Sequence, residues 1–185
     1  IKQLHADYFS GPLEHCLERL NLSAYEYSPE ADSTSTKIDK EGPLRKLTRL
    51  RSLEYYTGWN TRIPRELLIG LAANLEELHL TGSVGLNGLS GLFFGFARLK
   101  KIHLYVNTPS FTLDPKVTAG LLSLEELRMD NCAMKAIGPD ALHGLGRLRI
   151  LSLAHNGFGN TLTKSLFHSG LASLQTLNLT GNKIK

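Results

Sequence analysis

Cysteine is nearly missing from this chain: two occur in 185 residues, Cys16 and Cys132. Two thiols exclude a disulfide-dense scaffold and leave no Cys-x-x-Cys pair for zinc or redox chemistry. His-Glu-x-x-His, Gly-x-Ser-x-Gly and the dinucleotide fingerprint are also missing, and no two of the seven histidines stand at helical metal-binding spacing. An enzyme is therefore not expected, and neither is a bound metal or a cofactor. No apolar run approaches the roughly 20 residues of a membrane-spanning helix. The longest candidate, around Leu86 to Phe96, is cut by Asn87, Gly88, Ser90, Gly91 and Gly95. The chain opens on Ile1 with no signal-peptide pattern. A strong charge of one sign is lacking too, since 21 Lys and Arg face 17 Asp and Glu for a formal net charge of +4. The charges are interleaved, as in Glu76-Glu77, Lys100-Lys101 and Glu125-Glu126. That pattern reads as a solvated face and indicates no nucleic acid specifically.

What the chain has is leucine at a fixed beat. Segments of the form L-x-x-L-x-L, or close variants, begin at Leu17, Leu50, Leu75, Leu99, Leu124, Leu148 and Leu174, at intervals of 33, 25, 24, 25, 24 and 26 residues. All but the first interval fall within the 20 to 29 residues of a leucine-rich repeat. In an extended segment the fourth and sixth residues point one way and the third, fifth and seventh the other. One repeat cannot bury its own leucines, so neighbours must stack and join their short strands into a parallel sheet. The expected fold is thus an α/β leucine-rich-repeat horseshoe, with the sheet on the concave face and irregular or short helical turns on the convex face. A single domain over residues 1–185, of about seven repeats, accounts for the whole chain.

The ninth position of each repeat is where the chain leaves the strand and strands backbone groups that need a partner; an asparagine amide both donates and accepts. That column reads Tyr25, Gly58, Ser83, Asn107, Cys132, Asn156 and Asn182. The last four fit a structural ladder and the first three do not. A less regular half over 1–83 and a regular half over 84–185 follow from this. Cys16 and Cys132 lie four strand spacings apart, about 19 Å along such a sheet, whereas a disulfide tolerates a Cα separation of about 7 Å. They are not expected to pair with each other, and Cys132 reads as a buried ladder thiol. Cys16 retains the alternative of a partner outside this sequence. Ile1 and Leu4 match the post-strand slots of Met134 and Ile137, and Phe9 falls near the slot of Leu142, so the chain reads as a whole number of repeats from a longer array.

Two stretches break the beat. Residues 23–43 are polar, rich in Ser, Thr, Asp and Glu, and make the first repeat roughly eight residues longer than its neighbours; an insertion of this kind loops outside the stack, as a ligand contact or a tolerated surface excursion. Gly82-Ser-Val-Gly85-Leu-Asn-Gly88-Leu-Ser-Gly91 reads as tight turns, and Pro64 in Thr61-Arg-Ile-Pro64 marks another.

A broad sheet face serves binding. Its outward fifth positions are Asn21, Glu54, His79, His103, Arg128, Ser152 and Asn178; its outward seventh positions are Ser23, Tyr56, Thr81, Tyr105, Asp130, Ala154 and Thr180. Tyr56, His79, Lys101, His103, Tyr105, Arg128 and Asp130 form one candidate ligand-binding patch, with rings for apolar contact and charges for orientation. Adjacent strands bring His79 and His103 about 5 Å apart at the backbone. Two sequons, Asn21-Leu-Ser23 and Asn178-Leu-Thr180, place a glycosylation acceptor at an outward fifth position near each end of the sheet. Glycans there would leave repeats two to six open, and would place the protein outside the cell.

Leu124-Glu-Glu-Leu127-Arg-Met129 through Ile137, Leu142-His-Gly-Leu145, Leu148 to Asn156, and Phe167-His-Ser-Gly-Leu171 leading into Leu174 to Asn182 resemble the extracellular repeat of Toll-like receptor ectodomains. The resemblance covers the whole chain in rhythm and is specific in the last four repeats. It implies an extracellular segment of a single-pass receptor of innate immunity, at the cell surface or in endosomes. It implies recognition of a microbial ligand or protein partner, homo- or heterodimerisation, and signalling through a separate cytoplasmic domain. Extracellular leucine-rich proteins of structural or adhesive role, and intracellular interaction scaffolds, share the same rhythm.

Overall fold

The computed structural model describes residues 6–24, 42–57, 65–82, 90–106, 111–162 and 170–185. Each leucine segment forms a strand: β1 Arg19–Ala24, β2 Ser52–Thr57, β3 Glu77–Gly82, β4 Lys101–Val106, β6 Glu126–Arg128, β8 Ile150–Ser152 and β9 Thr176–Asn178. They make one seven-stranded sheet in chain order. Every pairing is parallel, and the register keeps each repeat position beside its counterpart: Asn21, Glu54, His79, His103, Arg128, Ser152 and Asn178 form one unbroken row. Parallel neighbours need a long return path, which the remaining residues of each repeat supply.

Alternation fixes what this sheet covers. From Leu50 through Leu153, the leucine, isoleucine or methionine at every first, fourth and sixth position except Tyr55 is at most 2% exposed. The return segments close the opposite wall with Leu47, Leu71, Phe93, Phe96, Leu121 and Leu145, and Phe93 and Phe96 meet edge to face at 6.4 Å. At the last strand Leu177 is 42% exposed. Two further strands, β5 Phe111–Leu113 and β7 Met134–Ile137, pair in parallel as a second small sheet. The helical elements are single turns: a 3-10 turn at Ala6–Phe9, then α1 Leu13–Cys16, α2 Arg65–Leu68 and α3 Pro115–Thr118. Asp114 caps α3 by accepting from Lys116 N at 2.7 Å, and Pro115 presets its first turn.

The ladder explains a change in strand length along the stack. Strands β1 to β4 run over six residues, whereas β6, β8 and β9 stop after three. In the last three repeats the eighth residue turns left-handed, at Asn131, His155 and Gly181 (φ 55, 54 and 74°), and this swings the ninth side chain inward. Asn156 is 6% exposed. Its Oδ1 accepts from Cys132 N and Met134 N at 3.0 and 3.1 Å, while its Nδ2 donates to Met129 O and Leu153 O at 2.8 and 2.9 Å. Asn182 repeats the arrangement one repeat on, accepting from Asn156 N and donating to Leu153 O. Cys132 is fully buried in the same column and its thiol donates to Leu104 O at 3.3 Å. Neither cysteine is held in a disulfide, and Cys16 is exposed. Asn107, Tyr25, Gly58 and Ser83, most of the 23–43 insertion, Ile1 and Leu4, the Thr61–Pro64 turn and most of the Gly82–Gly91 stretch lie outside the described residues.

A second column went unread in the sequence. Gly70, Gly95, Gly120, Gly144 and Gly170 recur at the leucine interval, and all are left-handed, with φ between 83 and 91°. Each precedes the residue that turns back toward the sheet, a conformation L side chains adopt only under strain.

Candidate functional site

The outer face of the sheet is a lattice set by strand register and alternation. Its centre is the pair His79 and His103, from β3 and β4, whose rings stack with centroids 4.3 Å apart and planes inclined by 30°. Carboxylates surround the pair. His103 Nε2 lies 3.0 Å from Glu126 Oε1, and Arg128 Nε donates to the same oxygen. On the other side Glu54 accepts from Asn21 Nδ2 at 2.9 Å and from the Tyr56 hydroxyl. Lys101 donates to Glu77 Oε1 at 2.7 Å.

These contacts set the protonation behaviour. Partial burial, then the neighbouring His103, pushes His79 below the ordinary histidine value, while Glu54, Glu77 and Glu126 pull the other way. Burial opposes ionisation of Glu126, but hydrogen bonds from Arg128 and His103 outweigh it and lower its pKa. Arg128 is held above its ordinary value by the hydrogen bond it donates to Glu126, with Asp130 adding to the effect. The centre is thus an imidazole pair beside two carboxylates, Glu77 and Glu126, whose ionised forms are favoured.

All seven residues of the expected patch share this face, but their roles differ from the sequence reading. Asp130 is turned along its own sheet: one oxygen accepts from Ser152 Oγ and Ala154 N, each at 2.7 Å. That contact covers the small side chains of repeat six, so Ser152 and Ala154 are 1% and 4% exposed and the outer face there is closed. Lys101 and Tyr56 are likewise engaged within the face. Tyr105, at 44% exposure, is the ring most open to a partner. Sequence reasoning omitted Glu54, Glu77 and Glu126 from the patch. The signal existed, since Glu77, Lys101 and Glu126 are consecutive third positions of alternating charge, and such cross-strand pairs attract.

The sequon residues occupy the expected row. Asn21 is exposed with its amide on Glu54, and Asn178 Oδ1 accepts from Thr180 N at 3.1 Å. Among the described residues no group of three or more His, Cys, Asp or Glu is arranged to hold a metal, and no helix is long and apolar enough to cross a membrane.

Comparison with known proteins agrees with this geometry. The leucine rich repeat family matches residues 123–184, the segment that carries the ladder. A solved internalin from Listeria monocytogenes superposes over 80% of this chain and 39% of its own, with a TM-score of 0.51 at 18% identity. The fold is a leucine-rich-repeat solenoid. Among curated proteins, the solenoid is 31% identical to vasorin of Mus musculus over 93 residues, which is 50% of this chain and 14% of that protein. It is 36% identical to Toll-like receptor 9 of Canis lupus familiaris over 70 residues, 38% of this chain and 7% of the receptor. The chain therefore spans a small part of the length of either relative.

Proposed function

We propose that this solenoid is a recognition segment of an extracellular receptor of innate immunity, binding a microbial ligand or a protein partner on its outer sheet face without catalysis. One observation carries the reading: Tyr105 stands open beside a stacked imidazole pair and a charged guanidinium, in a lattice whose positions are locked by strand register. An exposed ring flanked by oriented charges supplies apolar area and direction together. The likeness to Toll-like receptor 9 supports the receptor assignment, and the sequons at Asn21 and Asn178 support an extracellular one. Dimerisation with a second copy or a related receptor fits the same face. An adhesive extracellular role is the second reading, favoured by how much of the face's charge is already paired within it.

The test displays the chain on cells and measures capture of fluorescent bacterial surface fractions and of a soluble second copy. Tyr105→Ala with Arg128→Ala should weaken capture by about tenfold or more, as expected when central interface anchors are lost. Far-ultraviolet circular dichroism should be unchanged, because both side chains lie off the core. Unaltered capture would move the site to a flank or to the 23–43 insertion.

A further inference from the structure

A second surface runs along one flank of the stack, where each return segment enters its strand. Repeats two, four and six each place two exposed cations there, one on either side of the first leucine: Arg49 and Arg51, Arg98 and Lys100, Arg147 and Arg149. Repeats three and five place one carboxylate each, Glu76 and Glu125. Over repeats two to six the flank carries six cations against two carboxylates, while Glu18 holds the corresponding slot in repeat one.

The flank is also a continuous groove. Three shallow depressions follow one another along it; the first shares Arg98 with the second, and the second shares Glu125 and Arg147 with the third. Its walls are tied repeat to repeat, with Asn74 Nδ2 on Thr48 O at 2.8 Å and Ser173 Oγ on Gly146 O at 2.7 Å. Glu76 bridges Arg51 and Lys100 at 3.6 and 2.7 Å. Arg49, Arg98 and Arg147 form no ion pair with another described residue.

We propose that this groove binds a sulfated polysaccharide chain lying along the stack. Cation pairs recur every second strand, about 10 Å apart, so the groove asks for a linear polyanion whose charges are intermittent. A nucleic acid strand carries a charge about every 3.4 Å and would set phosphates against Glu76 and Glu125. Among the described residues no aromatic side chain lines the groove to stack a base. An extended peptide gains its affinity from free backbone groups, and here they are taken: Glu76 N, Lys100 N, Glu125 N, Arg149 N and Gln175 N each donate to the carbonyl one repeat back at 2.8 Å. A sulfated sugar answers each feature. Its sulfates meet the cation pairs, and its hydroxyls donate to the carboxylates between them.

The experiment measures binding of the full chain to a heparin oligosaccharide, its desulfated counterpart and a duplex DNA of equal length, across a salt series. Heparin should bind with salt-sensitive affinity and the desulfated sugar should not. Arg98→Glu with Arg147→Glu should weaken heparin binding by at least about tenfold in Kd. Lys116→Glu with Lys135→Glu makes the same change in net charge off the groove and should leave it nearly unaltered; unchanged circular dichroism for both variants would establish that each folds. An equal loss from both variants would overturn the proposal, as would retained binding after desulfation. DNA binding as tight as heparin, and equally dependent on Arg98 and Arg147, would also overturn it by making the flank a nucleic-acid site. Substitution of Tyr105 and Arg128 should leave heparin binding intact, so this result stands apart from the fate of the sheet-face proposal.

Discussion

Single residues here hold the stack from two sides, the ladder inside and the imidazole pair outside. Asn156 satisfies two backbone donors and two backbone acceptors in a dry interior. Its replacement by alanine removes the hydrogen bonds to Cys132 N, Met134 N and Met129 O, while Leu153 O keeps Asn182 Nδ2, so Asn156→Ala should cost roughly 3 kcal/mol, read as a lowered urea midpoint. On the outer face, the depressed pKa of His79 means that the unfolded chain binds protons more readily than the folded one near the ordinary histidine value. Stability contributed by keeping His79 neutral is therefore complete above about pH 6.5 and is lost as pH falls through that value toward the lower folded one. Glu77 and Glu126, whose pKa values are lowered, stay ionised over the same window and lose their contribution only in stronger acid. Between about pH 7.5 and 5.5 the Tm of the native chain should fall, and His79→Gln should fall less. Equal slopes in a thermal scan series would contradict this origin.

At the scale of one repeat, the leucine beat and the glycine column mark its two bends. Gly70 has φ of 87°, and a Cβ placed there meets Arg45 Cβ at 2.8 Å and Arg45 Cα at 2.9 Å. Gly11 has a similar φ of 78° but nothing within 4 Å. Gly70→Ala should thus lose about 2–3 kcal/mol and Gly11→Ala only about 1 kcal/mol, the difference separating crowding from backbone strain. The strands and the ladder were legible because alternation and the ninth-position amide are local rules that each repeat obeys by itself. The sequence reading also gave the row containing His79 and His103 correctly, since parallel pairing without slippage preserves repeat phase. It missed the turn of Asp130 along its own sheet and the closure of Ser152 and Ala154. Those depend on how one carboxylate reaches the next strand, which spacing does not encode. The glycine column was present at the leucine interval, but its meaning emerges only with the sign of φ.

Across the whole molecule, each strand of the sheet pairs only with the strand before and the strand after. Stability in such a stack is a sum of neighbour interfaces, and opening can begin at any of them. The two cysteines divide this architecture unevenly, one exposed beside the first strand and one sealed in the column between Leu104 and Asn156. The native protein accordingly presents a single sulfur to an alkylating reagent. The second is released only when the fifth repeat parts from its neighbours, so the mass added over time counts openings at the middle of the stack. Each molecule carries its own stopwatch for internal rupture, with its outer thiol as the reference.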